Sequence, residues 1–223
     1  MMRDFFAEVR AICAAALANL VAWRWRLLAG LAVFAVLACF TVPRDAAWVE
    51  SVRAADAPFW VDLADLFSVW GDYPRGPLIG VALLFATGVA FKRPQLRRVA
   101  IACFLAASLA GVCALSLRSL VGRPRPRSPL PDGLYGPTLD HTLHSFPSGH
   151  TASAFGTACA LLPTIPVIGI PGLVFAGGVA WSRMHRNYHH LTDVAGGAGL
   201  GVVFGLAFGV AVRRRGKLPL ASD

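Results

Sequence analysis

At 223 residues the chain has room for one domain or a little more. Hydrophobic residues make up 56% and charged residues 15%, with a mean hydropathy of +0.59, where a soluble domain carries about a quarter charged residues. That excludes a disordered chain and an ordinary cytosolic enzyme and points to an integral membrane protein. The net charge of +9 is then assigned to loop asymmetry and an anion site rather than to nucleic acid.

Residues 1–26 form an N-terminal segment. Asp4 and Glu8 interrupt the charged end of 3–22, and no small-residue cleavage site precedes Trp23-Arg24-Trp25-Arg26. An interfacial helix leading into the first span is expected there, not a removed signal peptide. Spans are predicted at 27–42, 77–91, 99–117, 149–163, 165–182 and 193–212, against a need for about 20 apolar residues each. Snorkelling arginines and the anchors Trp23, Trp25 and Trp181 extend the short ones. Between the first two, Phe59, Leu63, Leu66, Phe67 and Trp70 recur at helical spacing around Asp62 and Asp65, which predicts an amphipathic surface helix. The expected fold is all-α: a six-helix membrane bundle over 27–212 and a basic tail over 213–223. Cys13, Cys39, Cys103, Cys113 and Cys159 lie in apolar stretches without paired spacing, so neither a disulfide framework nor a zinc site is expected.

The loops fix an orientation. With an even number of spans, one side holds Arg3, Arg10, Arg24, Arg26, Lys92, Arg93, Arg97, Arg98, Arg213, Arg214, Arg215 and Lys217, against Asp4, Glu8 and Asp223. The other holds nine cations and nine acids. The positive-inside rule makes the first side cytoplasmic, with both termini on it. Yet Arg118, Arg123, Arg125, Arg127, Arg183 and Arg186 sit in two loops of the opposite side, against that bias. A bound anion is the natural reason, because guanidinium pairs with phosphate oxygens.

Three segments of that side stand out. Arg118-Ser-Leu-Val-Gly-Arg123-Pro-Arg125-Pro126 leaves the third span, and Pro147-Ser148-Gly149-His150 enters the fourth. Ser182-Arg183-Met-His-Arg-Asn-Tyr-His189-His-Leu-Thr-Asp193 joins the fifth to the sixth. Together they resemble the type-2 phosphatidic acid phosphatase family, the lipid phosphate phosphatases, whose site is shared with vanadium haloperoxidases and class A acid phosphatases. The family pattern is K-x6-R-P, P-S-G-H and S-R-x5-H-x3-D. Arg118 stands where the family has lysine; the other motif positions match.

The resemblance implies a phosphohistidine mechanism with no metal or other cofactor. It makes His189 the nucleophile, Asp193 its carboxylate partner and His150 the general acid and then base. Arg118, Arg125 and Arg183 are expected to bind phosphate, with Ser148 and the Gly149 N–H as further donors at a helix start. A helix over 189–193 would put His189 and Asp193 on one face as an i, i+4 pair, and the carboxylate would fix the imidazole tautomer. The implied protein is a bacterial inner-membrane phosphatase with a periplasmic site. Its substrate would be a lipid such as phosphatidic acid, phosphatidylglycerol phosphate, polyprenyl diphosphate or lipid A phosphate.

Other groups draw plainer readings. Arg123, Arg127 and Arg186 are expected as solvated loop charges or rim contacts, and His141, His144, His185 and His190 as polar loop residues. Gly197, Gly201, Gly205 and Gly209 form a small-residue seam for close helix approach. Pro129, Pro131, Gly133, Gly136 and Pro137 suit an irregular lid. A phosphotransferase using the same site is the alternative. A transporter of phosphorylated lipid would need polar groups inside spans, and Asn19, the one clear candidate, lies outside those assigned.

Overall fold

The computed structural model describes residues 2–53 and 57–215, with side chains from Phe5 onward. The acids and bases of the charge count at Arg3, Asp4, Lys217 and Asp223, and the tail beyond Arg215, lie outside the described side chains. The described chain is helical throughout its regular parts: α1 Met2–Ala22, α2 Arg24–Thr41, α3 Asp45–Arg53, α4 Pro58–Gly71, α5 Gly76–Ala90, α6 Pro94–Val121, α7 Gly149–Leu161, α8 Pro166–His185 and α9 Leu191–Arg215. Proline sits at the first or second position of α4, α5, α6 and α8, where a missing N–H costs nothing and φ is already helical.

The all-helical membrane bundle is as expected. Phe5–Ala22, Arg24–Arg53, Pro94–Val121, Pro166–His185 and Leu191–Arg215 are each long and apolar enough to cross a bilayer. The pair α4 and α5, bent by 53°, makes a sixth candidate if it counts as one span. α2 buries no residue and exposes Leu28, Leu31, Val36 and Phe40. Such a surface is costly in water and natural against lipid chains.

Two helices bear on the span count. α1 has the length and apolarity of a span, yet its bonds run to the start of α6 and the end of α9, the same end of the bundle, as for the interfacial helix the sequence suggests. It is fastened to its neighbours by polar bonds: Asn19 Nδ2 donates to the Ala207 carbonyl at 2.9 Å, Arg214 donates to Asn19 Oδ1 at 3.0 Å, and Arg98 Nε donates to Glu8 at 2.5 Å. Asn19 is therefore a packing residue. α7 has only 13 residues, about 20 Å of helix against a hydrocarbon core of about 30 Å. Its alanines and glycines fit it for the interior, and α6, α8 and α9 enclose it.

The glycine seam of α9 meets α7 along its length. A Cβ at Gly197 would stand 2.3 Å from the Ser148 carbonyl oxygen, one at Gly201 2.6 Å from that of Ala152, and one at Gly209 2.6 Å from that of Ala160. The two helices thus touch backbone to backbone, and the start of α7 is locked beside the start of α9. The site lies at this end.

Candidate active site

α6 ends at Gly122, whose φ of 62° is the left-handed conformation that glycine adopts freely. A Cβ there would also strike the Gly136 carbonyl oxygen at 2.1 Å. The long loop that follows folds back on the helix end through Tyr135 N–H to the Gly122 carbonyl at 3.0 Å and Thr138 N–H to that of Ser119 at 2.8 Å. This leaves Arg118 in the last helical turn, donating through Nε to the Pro147 carbonyl at 2.8 Å. Its guanidinium lies against the Gly149 backbone, for a Cβ at 149 would be 2.3 Å from Arg118 Nη2. The first and second motifs are thereby joined.

The third motif is shaped by the end of α8. Asn187, at φ 57°, reverses the chain, a conformation asparagine tolerates better than most residues. Both Tyr188 N–H and His189 N–H then return to the Arg183 carbonyl, at 3.0 and 3.1 Å. The Tyr188 ring lies between two guanidiniums, 4.2 Å from Arg183 Cζ and 4.3 Å from Arg127 Cζ.

His189 and Asp193 are brought together, but not as a pair on one helix face. α9 starts at Leu191, so His189 precedes it. Its Nδ1 lies 3.7 Å from Asp193 Oδ2, with both side chains buried. Asp193 instead reaches back to accept the His190 N–H at 2.8 Å, as an acid in the first turn does in a capping box. Ser145 Oγ donates to the same oxygen at 2.5 Å, and Arg123 Nη1 to the other at 2.9 Å. Every one of these donors favours the charged carboxylate.

Burial pushes the His189 pKa down to about 4 even though Asp193 pulls it up; Arg183 and Arg118 add to the fall. The imidazole is therefore neutral at physiological pH. His150 opens α7 and is half-buried, within electrostatic reach of Arg183, His189, Arg118 and Arg125. These five side chains occupy one region at one end of the bundle. Among the described residues Arg118, Arg125 and Arg183 make no ion pair with a carboxylate. The Nε atoms of Arg125 and Arg183 are buried with no hydrogen-bond partner. Unpaired buried guanidinium N–H groups are expensive, and an anion would satisfy them.

Ser148 is placed differently from the other predicted phosphate donors. Its N–H bonds the Asp193 carbonyl at 2.9 Å, and its hydroxyl accepts from Thr151 at 3.0 Å. It ties α7 to α9, while Gly149 makes the room that Arg118 fills.

Arg123 corrects the sequence reading most. It is 3% exposed, neither a solvated loop charge nor a rim contact. Its guanidinium bonds Asp193, Thr192, Asp45 at 3.1 Å and Asp132 at 3.1 Å, and these carboxylates hold its pKa above the usual arginine value against the effect of burial. Asp45, fully buried at the start of α3, also accepts the Thr192 N–H and its hydroxyl. A carboxylate thus sits at the N-terminus of α9, where the helix dipole favours it. Arg186 meets the expectation of a surface charge, pairing with Asp65 at 2.9 Å. His144, His185 and His190 are buried rather than solvated, and His141 is exposed. Asp45, Asp132 and Ser145 carried no local signal, because their partners are distant in sequence or part of this tertiary cluster.

A membrane-embedded helical bundle with two histidines and three guanidiniums that meet no carboxylate among the described residues at one end defines the general class of protein. Residues 98–217 match the model of the PAP2 superfamily, more than half of the chain, and the chain belongs to that superfamily. Two solved structures share the fold. The first transmembrane PAP2 type phosphatidylglycerolphosphate phosphatase from Bacillus subtilis is 19% identical, over 89% of this chain and 100% of that one, with a TM-score of 0.64. Aquifex aeolicus LpxE is 23% identical, over 74% of this chain and 93% of that one, with a TM-score of 0.56. No curated protein matches the chain.

Proposed function

We propose that this chain is a membrane phosphatase that removes the terminal phosphate of a phosphorylated lipid through a phosphohistidine at His189, without a metal ion. The observation that carries the proposal is the grouping of buried His189 and half-buried His150 with three guanidiniums that have no carboxylate partner among the described residues. The superfamily and the activity named for the Bacillus subtilis neighbour support it.

In the first step His189 Nε2 attacks phosphorus while the ester P–O bond breaks, and His150 gives a proton to the departing alkoxide. Asp193 stabilises the cation forming on His189, as Arg118, Arg125 and Arg183 hold the equatorial oxygens. In the second step water attacks phosphorus, His150 takes its proton, and the P–N bond breaks to release inorganic phosphate.

A cavity of about 390 Å³ supports lateral entry of substrate from the bilayer. It is lined by Asp72, Tyr73, Ala107, Ser108, Gly111, Val112, Leu115, Arg118, Gly149, His150 and Ser153. Val112 and Leu115 are exposed on the outside of α6, so a lipid tail stays in the membrane while its headgroup meets Arg118 and His150. The charge asymmetry of the loops supports a reading in which this mouth opens on the periplasmic face of a bacterial inner membrane. Phosphatidic acid, phosphatidylglycerol phosphate, polyprenyl diphosphate and lipid A phosphate all fit such an approach.

The test is phosphate release from these four lipids by purified protein in detergent with EDTA, comparing the parent with His189→Ala. The proposal expects release by the parent alone. Equal release from both rejects the assignment, and strict dependence on added divalent metal rejects the mechanism.

A further inference from the structure

The elbow between α4 and α5 reaches the acid–base histidine. α4 ends at Asp72, which leaves the helix in an extended conformation (φ −67°, ψ 128°). Its Oδ1 lies 3.4 Å from His150 Nε2, with both side chains about 30% exposed. Oδ2 accepts from Arg75 Nη1 at 2.9 Å. Asp72 and His150 line the same cavity as Arg118.

The elbow is fixed on two sides. Tyr73 and Ser108 of α6 share a hydrogen bond of 2.6 Å between their hydroxyls. Gly71 packs against α8, where a Cβ would be 2.5 Å from Val179 Cγ2. One turn earlier Ser68 accepts from Arg183 Nη1 at 2.6 Å. The backbone that carries Asp72 is therefore pinned to α6 and α8, the helices that carry Arg118 and Arg183. A carboxylate held this firmly beside an imidazole is placed to orient it.

We propose that Asp72 is the positioning residue of His150, so that each histidine of the site has its own carboxylate. A carboxylate at Nε2 selects the tautomer protonated on that nitrogen and leaves Nδ1 to exchange the catalytic proton. When His150 is cationic, Asp72 stabilises it, and Nδ1–H protonates the alkoxide as the ester bond breaks and the bond from His189 to phosphorus forms. The neutral ring keeps Nε2–H towards Asp72, and Nδ1 takes the proton of the water whose oxygen then displaces His189 from phosphorus. Asp72 lies outside all three motifs. The inference rests on the phosphatase reading of the site.

The experiment exploits the leaving group. An alkoxide needs His150 to protonate it, whereas 4-nitrophenolate leaves without help. Because kcat/KM reports only steps up to loss of the leaving group, it isolates the acid role from the later attack by water. The purified full chain, Asp72→Asn, Asp72→Glu and His189→Ala are each assayed on a dialkylglycerol phosphate and on 4-nitrophenyl phosphate. Asp72→Asn is expected to lose about 10–100-fold in kcat/KM on the alkyl ester, part of the 10²–10⁴-fold that general acids supply. The same variant should lose no more than about threefold on the aryl ester, and Asp72→Glu should regain part of the alkyl activity. Equal losses on both esters would mean general distortion of the site and overturn the inference, as would parental rates on both. A parent that hydrolyses neither ester, or a His189→Ala protein that matches it, overturns the phosphatase reading and this inference with it.

Discussion

Arg123 Nη1 donates to Asp193 Oδ1 at 2.9 Å, while Nη2 of the same guanidinium bonds Asp45 across a separation of 78 residues. One buried cation thus neutralises two buried carboxylates from opposite ends of the chain. Removing it leaves both unpaired, which typically costs about 3–5 kcal/mol. Arg123→Met is expected to lower the thermal unfolding midpoint in detergent and to reduce kcat. Adding Asp45→Asn should recover part of the midpoint without recovering kcat, because Asp193 still lacks its anchor. Recovery of both together would reduce Arg123 to a fold-stabilising role.

The contact between α7 and α9 makes a second prediction. At Gly201 any side chain meets backbone, since a Cβ would lie 2.6 Å from the Ala152 oxygen and 2.7 Å from the Gly156 nitrogen. Gly201→Leu should force the helices apart, shift His150 relative to His189, and lower both stability and turnover. Gly199, on the same helix with nothing within 4 Å of its Cβ position, is the control. Gly199→Ala should be neutral or stabilising by up to about 1 kcal/mol. Thermal melts with phosphate-release assays check both, and full activity in a folded Gly201→Leu protein would contradict the packing argument.

Arg118 and Gly149 should behave as a coupled pair. Gly149→Ala drives a methyl group into the Arg118 guanidinium, so the single variant is expected to raise KM sharply. Arg118→Lys loses the bond from Nε to the Pro147 carbonyl but keeps the charge on a narrower head. It should therefore raise KM only modestly, and Gly149→Ala should cost less beside that lysine than beside the native arginine. A double-mutant cycle on kcat/KM measures this, with additive losses as the contrary result.

The neutral state of His189 predicts a pH dependence of stability. Its pKa falls from 6.5 to about 4 on folding, chiefly through burial. Between those values the unfolded chain binds a proton that the folded chain refuses, so this contribution is present above 6.5 and is lost as pH falls through that window. His189→Gln should flatten that part of the stability curve. Imidazole ¹⁵N shifts of the parent should place the His189 midpoint near 4. A midpoint at the ordinary histidine value would contradict the buried geometry.

Much of the site was legible because its chemistry is concentrated in short segments. Arg118, Arg125, His150, Arg183 and His189 each lie beside a helix end, and apolar runs alone located most of those helices. The geometry between His189 and Asp193 was not legible in detail. Periodicity suggested a shared helix face, whereas a left-handed turn at Asn187 delivers His189 and a first-turn acid delivers Asp193. Arg123 and Arg125 look alike in sequence, since each precedes a proline. Only the tertiary placement of Asp45 and Asp132 makes one a buried brace and leaves the other without a carboxylate among the described residues. Asp72 was hidden for the same reason, in a turn whose composition says nothing of the histidine across from it. The helix α7, expected as the span 149–163, was legible from its apolar run, but its enclosure by α6, α8 and α9 was not, because burial inside a bundle selects the same residues as burial in lipid.

The central claim is that the imidazole of His189 carries the phosphoryl group between substrate and water. Rapid mixing of the protein with ³²P-labelled lipid phosphate, followed by alkaline denaturation, tests it directly. The account predicts a label that survives base, is lost in acid, maps to the peptide containing residue 189, and forms and decays at rates compatible with turnover. Turnover without any such label, or a label unchanged in His189→Ala, would contradict it.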